Sequence, residues 1–254
     1  MAVKILVTFA LETECAPWRR LRSFSSVAGT AFPIHESAIG DANVRVVLTG
    51  VGPTHAKRVA AEALKWHPDI CISSGLAGSL RPELGLGEVF VAREVRELEG
   101  GGTIACSAEL FAAARKRGIG LAERLLSTCS MVLTVEGKAR LGYMAEAVDM
   151  ESFSVLTEAA AFNIPAIAIR AISDSADEDL PMDFQIVLDS RGNLDRSKVA
   201  RALVRAPQKL PGLVRLGRNS RRAAVNLAKF LDAYVAEISM RPVRQTELVE
   251  ANQR

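Results

Sequence analysis

The sequence predicts an α/β fold built as one domain over residues 1–254. Short apolar runs rich in β-formers recur at residues 3–10, 44–49, 69–74 and 166–172. Between them lie helical stretches in which apolar residues return at three- and four-residue intervals, as at Val155, Ala159 and Phe162. With 254 residues, 49% of them hydrophobic, the chain can close one large core without dividing.

In chain order, residues 3–10 read as a buried first strand and residues 11–14 as its strand-to-helix turn, which carries Glu14. Trp18, Arg19, Arg20 and Arg22 then form a basic helix face, read as solvated in preference to a phosphate site. Residues 44–49 are a strand, followed by Gly50-Val51-Gly52 and a helix to about residue 65. A dinucleotide fingerprint would put its third glycine at His55, so that reading fails and His55 is taken as structural. Residues 69–74 are another strand, and Gly75-Leu76-Ala77-Gly78 follows as a loop whose backbone can approach a flat ligand. Residues 85–89 lead into a further strand, and residues 99–102 are a surface turn. Residues 105–126 read as one helix broken near Gly118, and residues 129–135 as a strand.

The densest information lies in residues 147–177. Asp149 is a plausible N-cap, Met150 and Glu151 fall in the first helical turn, and Asn163-Ile164-Pro165 ends the helix. The next strand delivers Ser173 and Asp174 to its C-terminal end, where open α/β sheets bind ligands. Beyond it, Asp177-Glu178-Asp179 and Asp183-Phe184 form either a solvated loop or a lid. Residues 210–238 are helical, with Leu227, Leu231, Val235 and Ile238 on one stripe, and residues 241–254 read as frayed.

Composition narrows the function. The chain has no apolar run of eighteen residues, and its N-terminal apolar segment is followed by Glu12 and Glu14, so neither a membrane span nor a signal peptide is expected. Four dispersed cysteines and three histidines without metal spacing argue against a disulfide framework and a metal site, and fit a reducing cytoplasm. Residues 191–254 hold 14 Lys and Arg against 5 Asp and Glu, so the net +3 divides into +9 there and −6 before it. Basic residues without interleaved aromatics exclude nucleic acid as the expected partner. Leucine and valine interleave with those cations, which suits a basic helical segment at about residues 191–240 for peripheral contact with an anionic membrane, at its cytoplasmic face; a solvated helix packed on the sheet is the alternative.

Met150-Glu151 followed by Arg170-Ala171-Ile172-Ser173-Asp174 resembles the signature of the nucleoside phosphorylase and nucleosidase superfamily, and is most similar to the methylthioadenosine/S-adenosylhomocysteine nucleosidases. The Ala-Leu-Glu-Thr-Glu segment ending at Glu14 and the stretch Thr49–Leu64 are similar to that family too, and the resemblance spans residues 3 to about 180. It implies a nucleoside phosphorylase-like fold with a twisted mixed central sheet flanked by helices, and a homo-oligomer without a cofactor that acts on a small nucleoside. By the same resemblance Asp174 protonates the departing purine with Ser173 orienting it, Glu14 directs water, and Met150 and Glu151 hold the ribose. Gly75, Leu76, Ala77 and Gly78 would line the pocket, with Met131, Val132 or Leu133 in place of the family's stacking Phe. For Asp174 to act as an acid, burial should raise its pKa or N7 should share its proton as charge develops. The family's phosphorylases place an Arg where this chain has Ser73, so phosphate, a candidate co-substrate, loses one anchor. The basic, leucine-rich stretch at residues 210–223 resembles bacterial hopanoid-associated phosphorylases, which implies an adenosylated hopanoid as substrate, with adenine leaving. A methylthioadenosine/S-adenosylhomocysteine nucleosidase and a catalytically silent nucleoside binder are the competing readings.

Overall fold

The computed structural model describes residues 2–190, 192–193 and 195–240. The first strand, β1 (Val3–Phe9), is apolar and buried over its last five residues. It runs into α1 (Glu12–Leu21), so Glu12 and Glu14 lie in the first helical turn and not in a turn before it. There the carboxylates meet the positive end of the helix dipole, and Glu14 at the third position accepts the N–H of the N-cap residue, Leu11.

A hairpin that the sequence reading overlooked comes next: β2 (Ser25–Ser26), β3 (Ile34–Ile39) and β4 (Ala42–Leu48) pair antiparallel in succession. Its signal was present, since Gly40-Asp41 is a two-residue turn with Gly40 at φ 57°, between Ile39 and Ala42, which pair with each other. Next come α2 (Pro53–Ala63), with Pro53 in its first turn, and β5 (Ile70–Ser79). The glycine-containing stretch read as a loop is the second half of β5, because Arg170–Ile172 continue to pair with Gly75–Ala77.

The chain continues through β6 (Val89–Glu97), β7 (Thr103–Ala105), α3 (Ala108–Arg115) and β8 (Gly120–Ser127). The helix expected to run to residue 126 therefore stops before Gly118, at φ 69°, and residues 120–127 pair parallel with β6. Gly120 permits that approach, because a Cβ there would lie 3.1 Å from the Phe90 Cβ. Residues 129–134 are not a strand. They lead to Thr134, whose hydroxyl accepts the Gly137 N–H and caps α4 (Val135–Leu141).

After α4 come β9 (Ala147–Asp149), α5 (Ser152–Ala161) and β10 (Ala166–Asp174), then α6 (Arg196–Arg205) and the long α7 (Leu210–Ser239). Glu151 is the N-cap residue of α5 and precedes its first turn. Asp149, expected as the cap, ends β9, yet its carboxylate still accepts the Ser152 N–H at 3.1 Å.

The sheet is mixed. β1 joins β4 and β5 in parallel, and β5 is shared: it pairs parallel with β10 and, at Gly78-Ser79, antiparallel with β9. Because β10 pairs with β6, β6 with β8 and β8 with β9, these strands close a ring in which β5 is the fifth member. The second half of α7 buries Leu227, Leu231, Val235 and Ile238 against the core, as its stripe predicted. It is held to α1 where Trp18 Nε1 and Arg22 donate to Asp232. The expected frayed stretch, residues 241–254, lies outside the described residues.

Candidate active site

The C-terminal ends of β1, β5, β9 and β10 open on a cavity of about 760 Å³, within the usual range for small-ligand sites. Its wall brings together Glu14, Leu76, Ala77, Gly78, Val132, Met150, Glu151, Ser173 and Asp174. Met131 lies there too, whereas Leu133 faces away and its carbonyl accepts the Leu180 N–H at 2.8 Å. Gly75 stands behind the wall. At φ 147° and with no side chain it leaves space that a Cβ would take, 3.0 Å from Arg170 Nη1 and 3.2 Å from Glu14 Oε2.

Glu14 is held by backbone. Oε2 accepts the N–H groups of Ala10 and Leu11 at 3.0 and 3.1 Å, and Oε1 that of Leu76 at 3.3 Å. Burial raises its pKa, against the lowering pull of those N–H groups and of the Arg170 charge. Glu151 is pushed up to about 8, first by burial and then by the neighbouring charge of Asp149, with Arg170 and the Gly52 N–H opposing. Its Oε1 accepts that N–H at 2.7 Å. Among the described residues no protein group bonds its other oxygen, which is available to a ligand.

Beneath both carboxylates lies Arg170, almost fully buried in β10. Nε donates to Asp149 Oδ2 at 2.8 Å, and Nη2 to Ser73 at 3.0 Å and Ser152 at 2.8 Å. Asp149 also accepts from Ser127. Arg170 Nη1 has no partner, although it is buried and lies beside Gly75 with the Glu14 carboxylate. A donor left over in such a network marks a place for a ligand atom or a water. Ser73 thus replaces the phosphorylase arginine only by bonding to another arginine. Of the three expected surface arginines, Arg19 pairs with Glu12, Arg22 pairs with Asp232, and Arg20 reaches the cavity wall.

Asp174 meets the cavity at the end of β10. Ser173 Oγ donates to Oδ1 at 2.8 Å, and Lys138 Nζ donates to Oδ2 at 2.7 Å. Both oxygens of the carboxyl group are therefore held by polar partners. Sequence reasoning missed Lys138 altogether, because a lysine in the short, charged Glu136–Arg140 stretch gives no sign of being buried. Asp149 and Arg170 had a signal, two charges in apolar runs, but Asp149 was read as a cap and Arg170 only as part of the family-like motif.

The loop after Asp174 is stitched in place. Lys138 donates to the carbonyls of Ser175 and Glu178, and Asp179 accepts the Val135 N–H at 2.8 Å. It is neither a freely solvated loop nor a detached lid: Leu180, Phe184, Gln185 and Leu188 line the cavity. Opposite them stand Pro17 of α1 and Leu213, Leu216 and Val225 of α7. Among the described residues no cluster of His, Cys, Asp and Glu could hold a metal ion.

A mixed sheet whose strand ends present buried carboxylates to one cavity defines a ligand-binding α/β site. The chain belongs to the phosphorylase superfamily, whose profile matches residues 4–206, and is an enzyme of the nucleosidase or phosphorylase class. It is 29% identical over 198 residues to a 5′-methylthioadenosine/S-adenosylhomocysteine nucleosidase of Shewanella halifaxensis, covering 67% of this chain and 84% of that protein. The fold is that of the corresponding Helicobacter pylori nucleosidase in complex with a substituted pyrrolidinol: TM-score 0.72, 22% identity, 93% of this chain and 99% of the other. Futalosine hydrolase of Helicobacter pylori gives a TM-score of 0.73 at 21% identity, over 93% and 99% of the two chains.

Proposed function

We propose that this enzyme hydrolyses the N-glycosidic bond of an adenosine whose 5′ position carries a bulky apolar group, releasing adenine, and that an adenosylated hopanoid lipid is that substrate. The observation behind the substrate is the apolar part of the cavity wall. Beyond the reacting groups at the strand ends, Pro17, Leu213 and Leu216 also line it. A methylthio group would leave that wall wet. The second reading, a methylthioadenosine/S-adenosylhomocysteine nucleosidase, draws on the activity named for the Shewanella relative.

In this reading Asp174 protonates the purine at N7 as the bond breaks, with Ser173 holding one oxygen. Glu151 accepts hydrogen bonds from the ribose hydroxyls, which strengthen as positive charge builds on the sugar. Water bound between Arg170 Nη1 and Glu14 is the nucleophile, oriented by the guanidinium and losing its proton to a carboxylate whose raised pKa suits a base. The residues present offer phosphate less, since Ser73 stands where an anchoring arginine would be.

The same proposal places the protein in the cytoplasm, as a homo-oligomer, in peripheral contact with the membrane that holds its substrate. No helix among the described residues is long and apolar enough to cross a bilayer. Ile186, Val204, Leu210 and Val214 are instead exposed on the segments leading into the cavity's apolar wall, beside Arg201, Arg205, Lys209, Arg215 and Arg218. Such a surface suits anionic lipid.

The test is chromatographic detection of adenine from 5′-methylthioadenosine and from an adenosylated triterpenoid in mixed vesicles, with and without phosphate. Preferred turnover of the lipid, giving a free sugar, is the expected result. A sugar phosphate overturns water as nucleophile, preference for methylthioadenosine supports the second reading, and no adenine from any substrate leaves a silent binder.

A further inference from the structure

Lys138 is a fully buried titratable group in contact with the acid, and the reaction assigns it no task. The three N–H donors of its ammonium all find oxygen, at 2.7 Å from Asp174 Oδ2, 2.6 Å from the Ser175 carbonyl and 3.0 Å from the Glu178 carbonyl. Its side chain is 0% exposed, whereas that of Asp174 is 12% exposed and reaches the cavity. The lysine therefore stands behind the acid, out of reach of substrate.

The acid's setting needs such a support. The pairing of β10 with β5 shifts register between Ile172 and Asp174, an irregularity that re-aims a side chain at a strand end. Gly78 leaves the room, because a Cβ there would come within 2.9 Å of Asp174 Oδ2. A carboxyl group on a broad terminal torsion has no single orientation of its own. Ser173 holds Oδ1 at 2.8 Å and Lys138 holds Oδ2, so the group is gripped at both oxygens. The other two lysine bonds tie the grip to residues 175–178, the start of the segment that carries Leu180 and Phe184 to the cavity.

We propose that Lys138 is the positioning residue for Asp174: it sets the carboxyl oxygen beside Gly78 at the cavity wall and locks the following loop, so that the acid meets the purine in one orientation. The inference rests on Asp174 acting as the acid. Since Lys138 works only through Asp174, its removal matters for leaving groups that need a proton and not for those that do not.

The experiment is a double-mutant cycle of Lys138→Met and Asp174→Asn, assayed on 5′-methylthioadenosine and on 4-nitrophenyl β-D-riboside, whose phenolate departs without protonation. Each single variant is expected to lower kcat on the nucleoside by on the order of 10²-fold or more with KM little changed. The double variant should lose no more than Asp174→Asn alone, and all three should retain nitrophenyl riboside turnover. If Lys138→Met does not fold, the double variant, which buries a neutral pair, is compared with Asp174→Asn. Losses that multiply, equal loss on both substrates, or a Lys138→Met enzyme with the parent rate overturn the inference. Parent turnover of the nucleoside by Asp174→Asn removes the acid assignment itself.

Discussion

The two ends of the cavity are built on opposite principles. At the inner end Glu14, Asp149, Arg170, Lys138 and Asp174 are buried or nearly so, and each is gripped by backbone N–H groups, hydroxyls or an opposite charge. At the outer end Leu213, Leu216 and Phe184 offer only half-buried apolar surface, with no polar group fixing them. The inner end resists change because moving one charge strands another, and the outer end tolerates change because nothing there depends on a direction. The contrast teaches that one cavity combines two kinds of wall: directed bonds hold the charged groups at the strand ends, and apolar side chains of α7 and the 180–188 segment offer shape.

The comparison can be broken most sharply at Glu14. In Glu14→Ala, adenine release should fall by about 10²- to 10⁴-fold, the usual cost of losing a general base, and added phosphate should not restore it. Single-turnover chromatography measures this, and rescue by phosphate would transfer the nucleophile's role away from water.

Arg170→Met tests whether the inner end is a mutually dependent unit. It leaves Asp149 buried without its cation, and the expected loss is about 3–5 kcal/mol of unfolding free energy by urea titration. A loss below about 1 kcal/mol would show that Ser127 and the Ser152 N–H satisfy Asp149 by themselves.

At the outer end, Leu213→Glu with Leu216→Glu should lower kcat/KM for a 5′-alkyl adenosine by about 10- to 200-fold while leaving adenosine itself unchanged. Parallel losses on both substrates would erase the distinction between the two ends.

The smallest effect is a pH dependence. Burial and the Asp149 charge push the Glu151 carboxyl to about 8, so the empty folded enzyme holds a proton that the unfolded chain releases in the ordinary carboxylate range. Stability from this group is fully present below that range and is lost as pH rises through about 8. The melting temperature should therefore decline between about pH 5 and about pH 8 in the parent and less steeply in Glu151→Gln, a difference on the order of a few degrees by calorimetry. Identical slopes would mean that Glu151 is solvated.

Where the sequence reading went wrong, a partner in space had outvoted a local pattern. Residues 75–79 look like a loop, yet β10 runs alongside and makes them strand. Residues 120–127 carry apolar spacing compatible with a helix, and β6 and β9 on either side decide otherwise. The β3–β4 hairpin, by contrast, was marked locally by Gly40-Asp41 and was overlooked all the same. Glu14, Glu151, Ser173 and Asp174 were picked out because they stand at element boundaries, where apolar periodicity stops and a polar side chain is conspicuous. Gly75 and Leu133 were assigned to the pocket by resemblance and by adjacency in the chain, whereas Gly75 backs onto Arg170 and Glu14 and Leu133 is taken up by the Leu180 N–H through its carbonyl.

By itself, then, the sequence determined that the chain is one α/β domain, that its strands end in carboxylates, and that α7 has one apolar stripe. These properties repeat with the period of a helix or a strand and need no distant partner. Only the tertiary structure decided that Lys138 lies under Asp174, 36 residues away, that Arg170 joins Asp149 and Ser73 while its Nη1 has no partner among the described residues, and that apolar side chains of α1 and α7 line the cavity. A charge is read as exposed until something shows what surrounds it. What surrounds these charges is brought there by the closure of strands into a ring with β5, which no local stretch of residues encodes.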